Sequence, residues 1–237
     1  MKIFAIGDLH LSATGEKPMD VFGPEWAEHD DKIRENWCNT VRDEDVVLVP
    51  GDLSWAMRLE EAQPDLEFID KLPGIKYFIR GNHDYWYSSP TKVRRATGSS
   101  MRLIRFDADV HRGVGICGIR GWPWPGLSEY DPEDDERHWE KALHRFRLSL
   151  DSLAEQQWDT AIAMFHYPPL TRDESSELCD MARAAGIRRV VYGHLHGEAT
   201  EKAFEGERDG IVYRCASADN VDFTPTLIVE HPNQEME

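Results

Sequence analysis

Seven side chains able to ligate a metal ion follow short apolar runs at five places in the chain: Asp8 and His10, Asp52, Asn82, His166, and His194 and His196. They offer two carboxylates, one amide oxygen and four imidazoles, enough for two divalent ions if Asp52 is shared between them. Oxygen and nitrogen donors without a thiolate suit Mn, Fe, Zn, Co or Ni, and a histidine-rich set disfavours Mg and Ca. Mn is the ion to try first. A single histidine after a strand is more often a satisfied loop or core residue than a ligand. Several strand ends carrying such groups together shift that weighting. Asp-x-His and His-x-His are expected to place both side chains of a pair on one side of an extended backbone.

For these groups to meet, the strands before them must run parallel and end together. The β-branched runs Lys2 to Ile6, Val46 to Val49, Ile75 to Ile79, Ala161 to Phe165 and Arg189 to Tyr192 read as those strands. Apolar spacing of three and four residues places helices at Asp30 to Val41, Leu59 to Leu72, Pro132 to Gln157 and Glu174 to Ala185. Asp131 and Pro132, followed by three acidic residues, form a helix start. This alternation is an α/β signature, in which function gathers beyond the carboxyl ends of the strands. Gly7, Gly51, Gly81 and Gly193 precede the polar groups, where a sharp strand exit favours a residue without Cβ. Short apolar runs from Met101 to Arg120 and from Glu198 to Val229 predict antiparallel strands, hence a mixed or second sheet. With no repeat and no linker, residues 1–237 read as a single domain.

The chain of 237 residues carries 27 basic and 44 acidic side chains, a net charge of −17. That balance argues against a nucleic-acid polymer as partner, because such binding rests on cations neutralising phosphates. No apolar stretch reaches the ~20 residues of a membrane span, and no apolar leader precedes Gly7, so a cytoplasmic protein is expected. Cys38, Cys117, Cys179 and Cys215 are isolated in sequence and read as reduced buried thiols.

Asp8-x-His10, Gly51-Asp52, Gly81-Asn82-His83-Asp84, His166 and Gly193-His194-x-His196 occur in the order found in the calcineurin-like metallophosphoesterases, which this chain resembles from residue 8 to residue 196. The resemblance implies a two-sheet mixed β-sandwich flanked by helices. It implies that Asp8, His10, Asp52 and His196 hold one ion, that Asp52, Asn82, His166 and His194 hold the other, and that Asp52 bridges them. Such a pair of ions would activate a bridging hydroxide for in-line attack on phosphorus. Neutral Asn82 would keep the site positive. His83 would contact phosphate and protonate the leaving oxygen, with Asp84 either orienting His83 or capping a local turn.

The protein Ser/Thr phosphatase branch has Asp-Arg shortly after its Gly-Asp motif and ends its third motif in Glu. Here the chain reads Asp52-Leu53-Ser54-Trp55 and ends in Asp84, so it looks more like the small bacterial phosphoesterases and class III cyclic-nucleotide phosphodiesterases. The expected substrate is a small soluble phosphoester, nucleotide-like or aryl. Phosphomonoesters, phosphoproteins and a non-catalytic scaffold are the alternatives. Trp55, Tyr85, Trp86, Tyr87 and Tyr167 crowd the ligand loops, either lining a stacking slot or packing the loops. Trp122 and Trp124, in a proline-punctuated segment, either face substrate or cover a sheet edge. Arg94, Arg95 and Arg102 read as a solvated basic face able to meet a distal phosphate, Arg80 as a packing or surface residue, and Asp219 to Thr226 as a loop without chemistry.

Overall fold

The protein is described from a computed structural model over residues 1–13, 15 and 17–231, so the last six residues of the expected domain lie outside the described residues. In the first sheet β1 (Lys2–Ala5), β2 (Val46–Val49), β3 (Ile75–Phe78) and β4 (Met101–Leu103) run parallel, and β11 (Thr226–Glu230) pairs antiparallel with β1. In the second sheet β6 (Val114–Ile119), β7 (Thr160–Phe165), β8 (Arg189–Tyr192) and β10 (Ile211–Cys215) are parallel. Antiparallel β5 (Ala108–His111) and β9 (Gly206–Arg208) close its two edges. The antiparallel reading of 101–120 and 198–229 therefore holds for β5, β9 and β11, whereas β4, β6 and β10 extend the parallel sets.

Strand alternation builds the layers. Ile3, Ala5, Val46, Leu48 and Tyr77 point from the first sheet onto Val114, Ile116, Ile162, Met164 and Val191 of the second, making the sandwich interior. Their neighbours Phe4, Val47, Val49 and Phe78 face the other way, onto Ile33 and Trp37 of α1 (His29–Thr40) and Leu66 and Ile69 of α2 (Leu59–Lys71). The second sheet turns Ala161, Ala163 and Phe165 onto Trp139, Phe146 and Leu153 of α4 (Pro132–Ala154) and Leu178 of α5 (Glu177–Ala184). The result is two mixed sheets packed face to face with helices on both outer faces. Each fully buried aliphatic side chain in these clusters contributes about 1.5–3 kcal/mol.

Asp131 caps α4 as the sequence indicates, its carboxylate accepting from Glu133 N, and Pro132 occupies the first turn. A short helix α3 (Pro90–Ala96) was not anticipated, although Ser89 and Pro90 are a start signal and Ser89 Oγ accepts from Lys92 N. At seven residues it carries too little periodicity to be seen. Gly7 N donates to Ala216 O at 2.6 Å, tying the exit of β1 to the second sheet. That tie brings the carboxyl ends of both sheets together.

Candidate metal centre

The seven candidate ligands come from the exits of β1, β2, β3, β7 and β8 and meet at this junction. Asp8, His10 and His196 form one cluster and Asp8, Asp52 and His166 another, the ligand atoms of each lying within 4.8 Å of one another. His10 Nε2 faces His196 Nε2 at 3.3 Å, about the separation of two nitrogens ~2.1 Å from a shared ion. Asp52 Oδ2, in the second cluster, lies 3.5 Å from His166 Nε2 and reaches to 3.8 Å from His10 Nε2 of the first. Asn82 Oδ1 contacts His166 Nε2 and lies 3.1 Å from His194 Nδ1. All seven meet at this junction, but the residue common to the two clusters is Asp8, whereas the resemblance implies Asp52 as the shared ligand.

The local backbone is shaped for this convergence. Asp8, His10, Asp52 and His194 have φ of 52°, 46°, 52° and 76°, in the left-handed region that non-glycine residues rarely occupy. Strain of this kind, of order 1–3 kcal/mol per residue, persists where the surroundings over-determine it. It also corrects the extended-backbone expectation: Asp8 and His10 converge through left-handed turns, and only His196, with φ −130°, is extended. Gly81 is required by close approach, since a Cβ there would overlap Asp52 Oδ1 and Asp52 N.

Two buried carboxylates crowd the centre. Burial raises the pKa of Asp8, and burial followed by the charges of Asp84 and Asp8 raises that of Asp52 well above the carboxylate range. Burial, then neighbouring histidines, pushes His10 and His166 well down, so both imidazoles are neutral with a lone pair free. His196 differs: burial lowers its pKa, but the bond to Asp219 and the charges of Asp8 and Asp219 outweigh it and the net shift is upward. Asp8 Oδ1 and His10 Nδ1 are buried with no hydrogen-bond partner among the described residues. Neutral imidazoles, crowded carboxylates and an unpartnered carboxylate oxygen are what a divalent cation would satisfy. The residues fit the metal.

His83 N donates to Asp52 Oδ1 at 2.8 Å, while its ring packs beside Trp55 at a centroid distance of 4.5 Å. Burial, then His194, His196 and Lys17, lowers the His83 pKa to about 4. Asp84 does not offset this, because its carboxylate is turned elsewhere. It accepts from Gly81 N (2.7 Å), Asp52 N (3.0 Å), Leu53 N (2.9 Å), Ser54 N (3.3 Å) and Trp86 Nε1 (2.9 Å), clamping the β2 and β3 exits together. Of the two sequence readings of Asp84, this is the turn cap, enlarged to two loops.

Sequence reasoning missed two carboxylates. Asp219 Oδ1 lies 2.9 Å from His196 Nδ1, and Glu129 Oε1 lies 3.4 Å from His194 Nε2. Both sit in loops far from any motif, and no local signal marks them. The aromatic residues separate. Trp86 and Trp124 are buried packing residues, Tyr87 is buried with its ring beneath Arg80, Trp55 stacks on His10 at 4.7 Å, and Tyr85 stays exposed. Trp122 stacks on His138 and donates to Asp135, so that loop lies against α4. Arg94 pairs with Asp107 at 2.5 Å, and Cys38 is exposed rather than buried.

Three solved structures share the fold at low identity. A phosphopantetheinyl hydrolase (PptH) from Mycobacterium tuberculosis matches with TM-score 0.60 at 15% identity, covering 100% of this chain and 98% of that one. A protein of unknown function, AQ665 from Aquifex aeolicus, matches at 0.51 and 14%, covering 95% of each chain. TT1561 of Thermus thermophilus matches at 0.54 and 15%, covering 82% and 81%. The uncharacterized protein MJ1445 of Methanocaldococcus jannaschii is 37% identical over 70 residues, 30% of this chain and 38% of that protein. The pattern of calcineurin-like phosphoesterases matches residues 1–198, spanning every ligand position above. The chain spans little more than a third of the length of the curated relative MJ1445, and it belongs to the calcineurin-like phosphoesterase family.

Proposed function

We propose that this protein hydrolyses a small soluble phosphoester, nucleotide-like or aryl, at a centre of two divalent ions. Asp8, His10, Asp52 and His196 would hold one ion, and Asp52, Asn82, His166 and His194 the other. The observation that carries this reading is the reach of Asp52 Oδ2 to both His166 Nε2 and His10 Nε2, one ring from each group. When bound, the ions supply Lewis-acid charge at the phosphoryl oxygens and lower the pKa of water.

The chain's own residues do the rest. Asp84 fixes the Asp52 and Asn82 loops relative to each other through its backbone donors, so the two halves of the site keep one spacing. Asp219 sets the ring orientation of His196 and leaves its Nε2 facing His10. His83 is the proton donor to the leaving oxygen. In the substrate-free site it is neutral, and an anionic phosphoester beside the ring would raise its pKa and load the proton. Trp55, flat against His10 and tilted against His83, excludes water from one side.

A chelator should abolish hydrolysis of a panel of phosphomonoesters, cyclic nucleotides and aryl diesters, and Mn added back should restore it. Full hydrolysis by protein that analyses at zero metal equivalents would sink the proposal. A phosphopeptide that outcompetes every small ester would move the substrate to the protein phosphatase class.

A further inference from the structure

Outside the ligand cluster, where the exits of β3 and β6 approach each other, a cavity of about 100 Å3 is lined by Arg80, Arg105, Arg120, Arg145, Tyr87 and Phe106. Arg80 and Arg120 are half-buried and Arg105 and Arg145 exposed, so the basic lining continues from the protein into solvent. Among the described residues, none of the four forms an ion pair, although the chain carries 44 acidic side chains to 27 basic ones. The nearby carboxylate of Asp107 is taken by Arg94 at 2.5 Å. The four guanidiniums instead lie over rings: Arg80 over Tyr87 at 5.3 Å, Arg105 and Arg145 over Phe106 at 4.8 and 4.9 Å, and Arg120 over Trp122 at 4.6 Å. Stacking fixes the planar forks without using their donors.

Tyr87 adds an independent observation. It is 8% exposed, it lines the cavity, and its hydroxyl is buried with no hydrogen-bond partner among the described residues. A hydroxyl without a partner beside four guanidiniums that make no ion pair is a donor set complementary to an oxyanion. The volume holds several waters and hence one tetrahedral anion. The cavity also belongs to the site's own scaffold. Arg80 immediately precedes Gly81-Asn82 and donates from Nε to Asp84 O at 3.2 Å, and Arg120 O accepts from both His166 N and Tyr167 N at 3.0 Å.

We propose that this cavity is a second anion subsite of the active site, receiving a phosphate that the substrate carries away from the scissile ester. The substrate class is then a small bis-phosphorylated molecule, and this rests on the hydrolase reading above. Arg80 Nε donates to Asp84 O and His166 N donates to Arg120 O, so both arginines are tied to the loops that carry the metal ligands. A local concentration of arginines also draws an anion to a protein of net charge −17, whose remaining surface repels it.

The test compares thymidine 5′-(4-nitrophenyl phosphate) with and without a 3′-phosphate, the former being the bisphosphate, as substrates of the metal-loaded protein, for the wild type and for Arg105→Ala/Arg145→Ala. Both replaced side chains are exposed, and circular dichroism with metal analysis confirms that the variant is folded and loaded. The wild type should favour the bisphosphate in kcat/KM by about tenfold or more, and the double variant should lose most of that preference. Tyr87→Phe should lower the same ratio by a smaller factor. Sulfate titrated calorimetrically should occupy one more site on the wild type than on the double variant. Hydrolysis with an unchanged ratio and equal sulfate stoichiometry would overturn the subsite. Loss of one sulfate site in a protein that hydrolyses no ester would keep the subsite and overturn the hydrolase reading instead.

Discussion

Asp219 Oδ1 lies 2.9 Å from His196 Nδ1, while its other oxygen accepts from Gly197 N at 2.8 Å, so one carboxylate fixes both the ring and the backbone after it. A ligating imidazole held this way presents one nitrogen in one orientation and gains basicity. Asp219→Asn should weaken metal affinity by about 10–100-fold, with the fold retained. Competition against a chromophoric chelator measures it, and unchanged affinity would reduce Asp219 to a loop cap.

The contrast between Asp219 and Asp8 shows what the sequence can reveal. Asp8, Asp52, Asn82, His166 and His194 each follow a β-branched run, so strand periodicity and a polar exit residue locate them together. Asp219 follows β10 only after Ala216-Ser217-Ala218, and Glu129 sits in a loop before α4, so their approach to the histidines is set by sheet order. The same limit explains β4, β6 and β10. A three to six residue apolar run says strand, but its direction depends on which neighbour it meets. Trp86 and Tyr85 are adjacent and equally aromatic, yet one is buried against Asp84 and the other exposed, a difference of turn geometry that composition cannot register.

Asp52→Asn should separate stability from function. In the metal-free protein the Asp52 pKa is raised, first by burial and then by Asp84 and Asp8, so the ionised group costs stability at every pH above the ordinary carboxylate value. The neutral amide removes that cost and can still accept from His83 N. Metal-free Asp52→Asn should therefore melt above metal-free wild type at pH 7. Its stabilisation by added Mn should be largely lost and its hydrolysis should fall by the greatest factor of any single ligand change. Thermal melts with and without Mn check the sign.

His83 contributes its backbone N–H to Asp52 and keeps its ring out of the ligand groups. His83→Asn retains that N–H, so metal content should stay at the wild-type level. Activity should fall by about 10²–10⁴-fold on alkyl esters, whose leaving oxygen needs a proton, and much less on nitrophenyl esters. Equal losses across leaving groups, measured as kcat/KM, would remove His83 from the proton-donor role.

Lys76 gives the fold a pH dependence unrelated to the metal centre. Its side chain is fully buried beneath the end of α2, where Nζ donates to Asp70 O at 3.1 Å, Leu72 O at 2.5 Å and Gly74 O at 2.9 Å. Carbonyls at a helix C-terminus favour the cation. Burial opposes it and wins over the weak attraction of Asp70 and Asp43, leaving the pKa lowered to about 8. Because the folded value lies below the unfolded one, the unfolded chain binds more protons between about pH 8 and the ordinary lysine value near 10.5, and stability from this group rises with pH across that window. Below about pH 8 both states are protonated and the cost of burying the charge is constant. Lys76→Met removes the titration, so the stability of wild type relative to this variant should be flat below about pH 8 and climb toward pH 10.5. Urea unfolding of both proteins at pH 7, 8, 9 and 10 measures the difference. A difference that stays level, or falls as pH rises, would mean that the three carbonyls hold the ammonium more strongly than burial disfavours it.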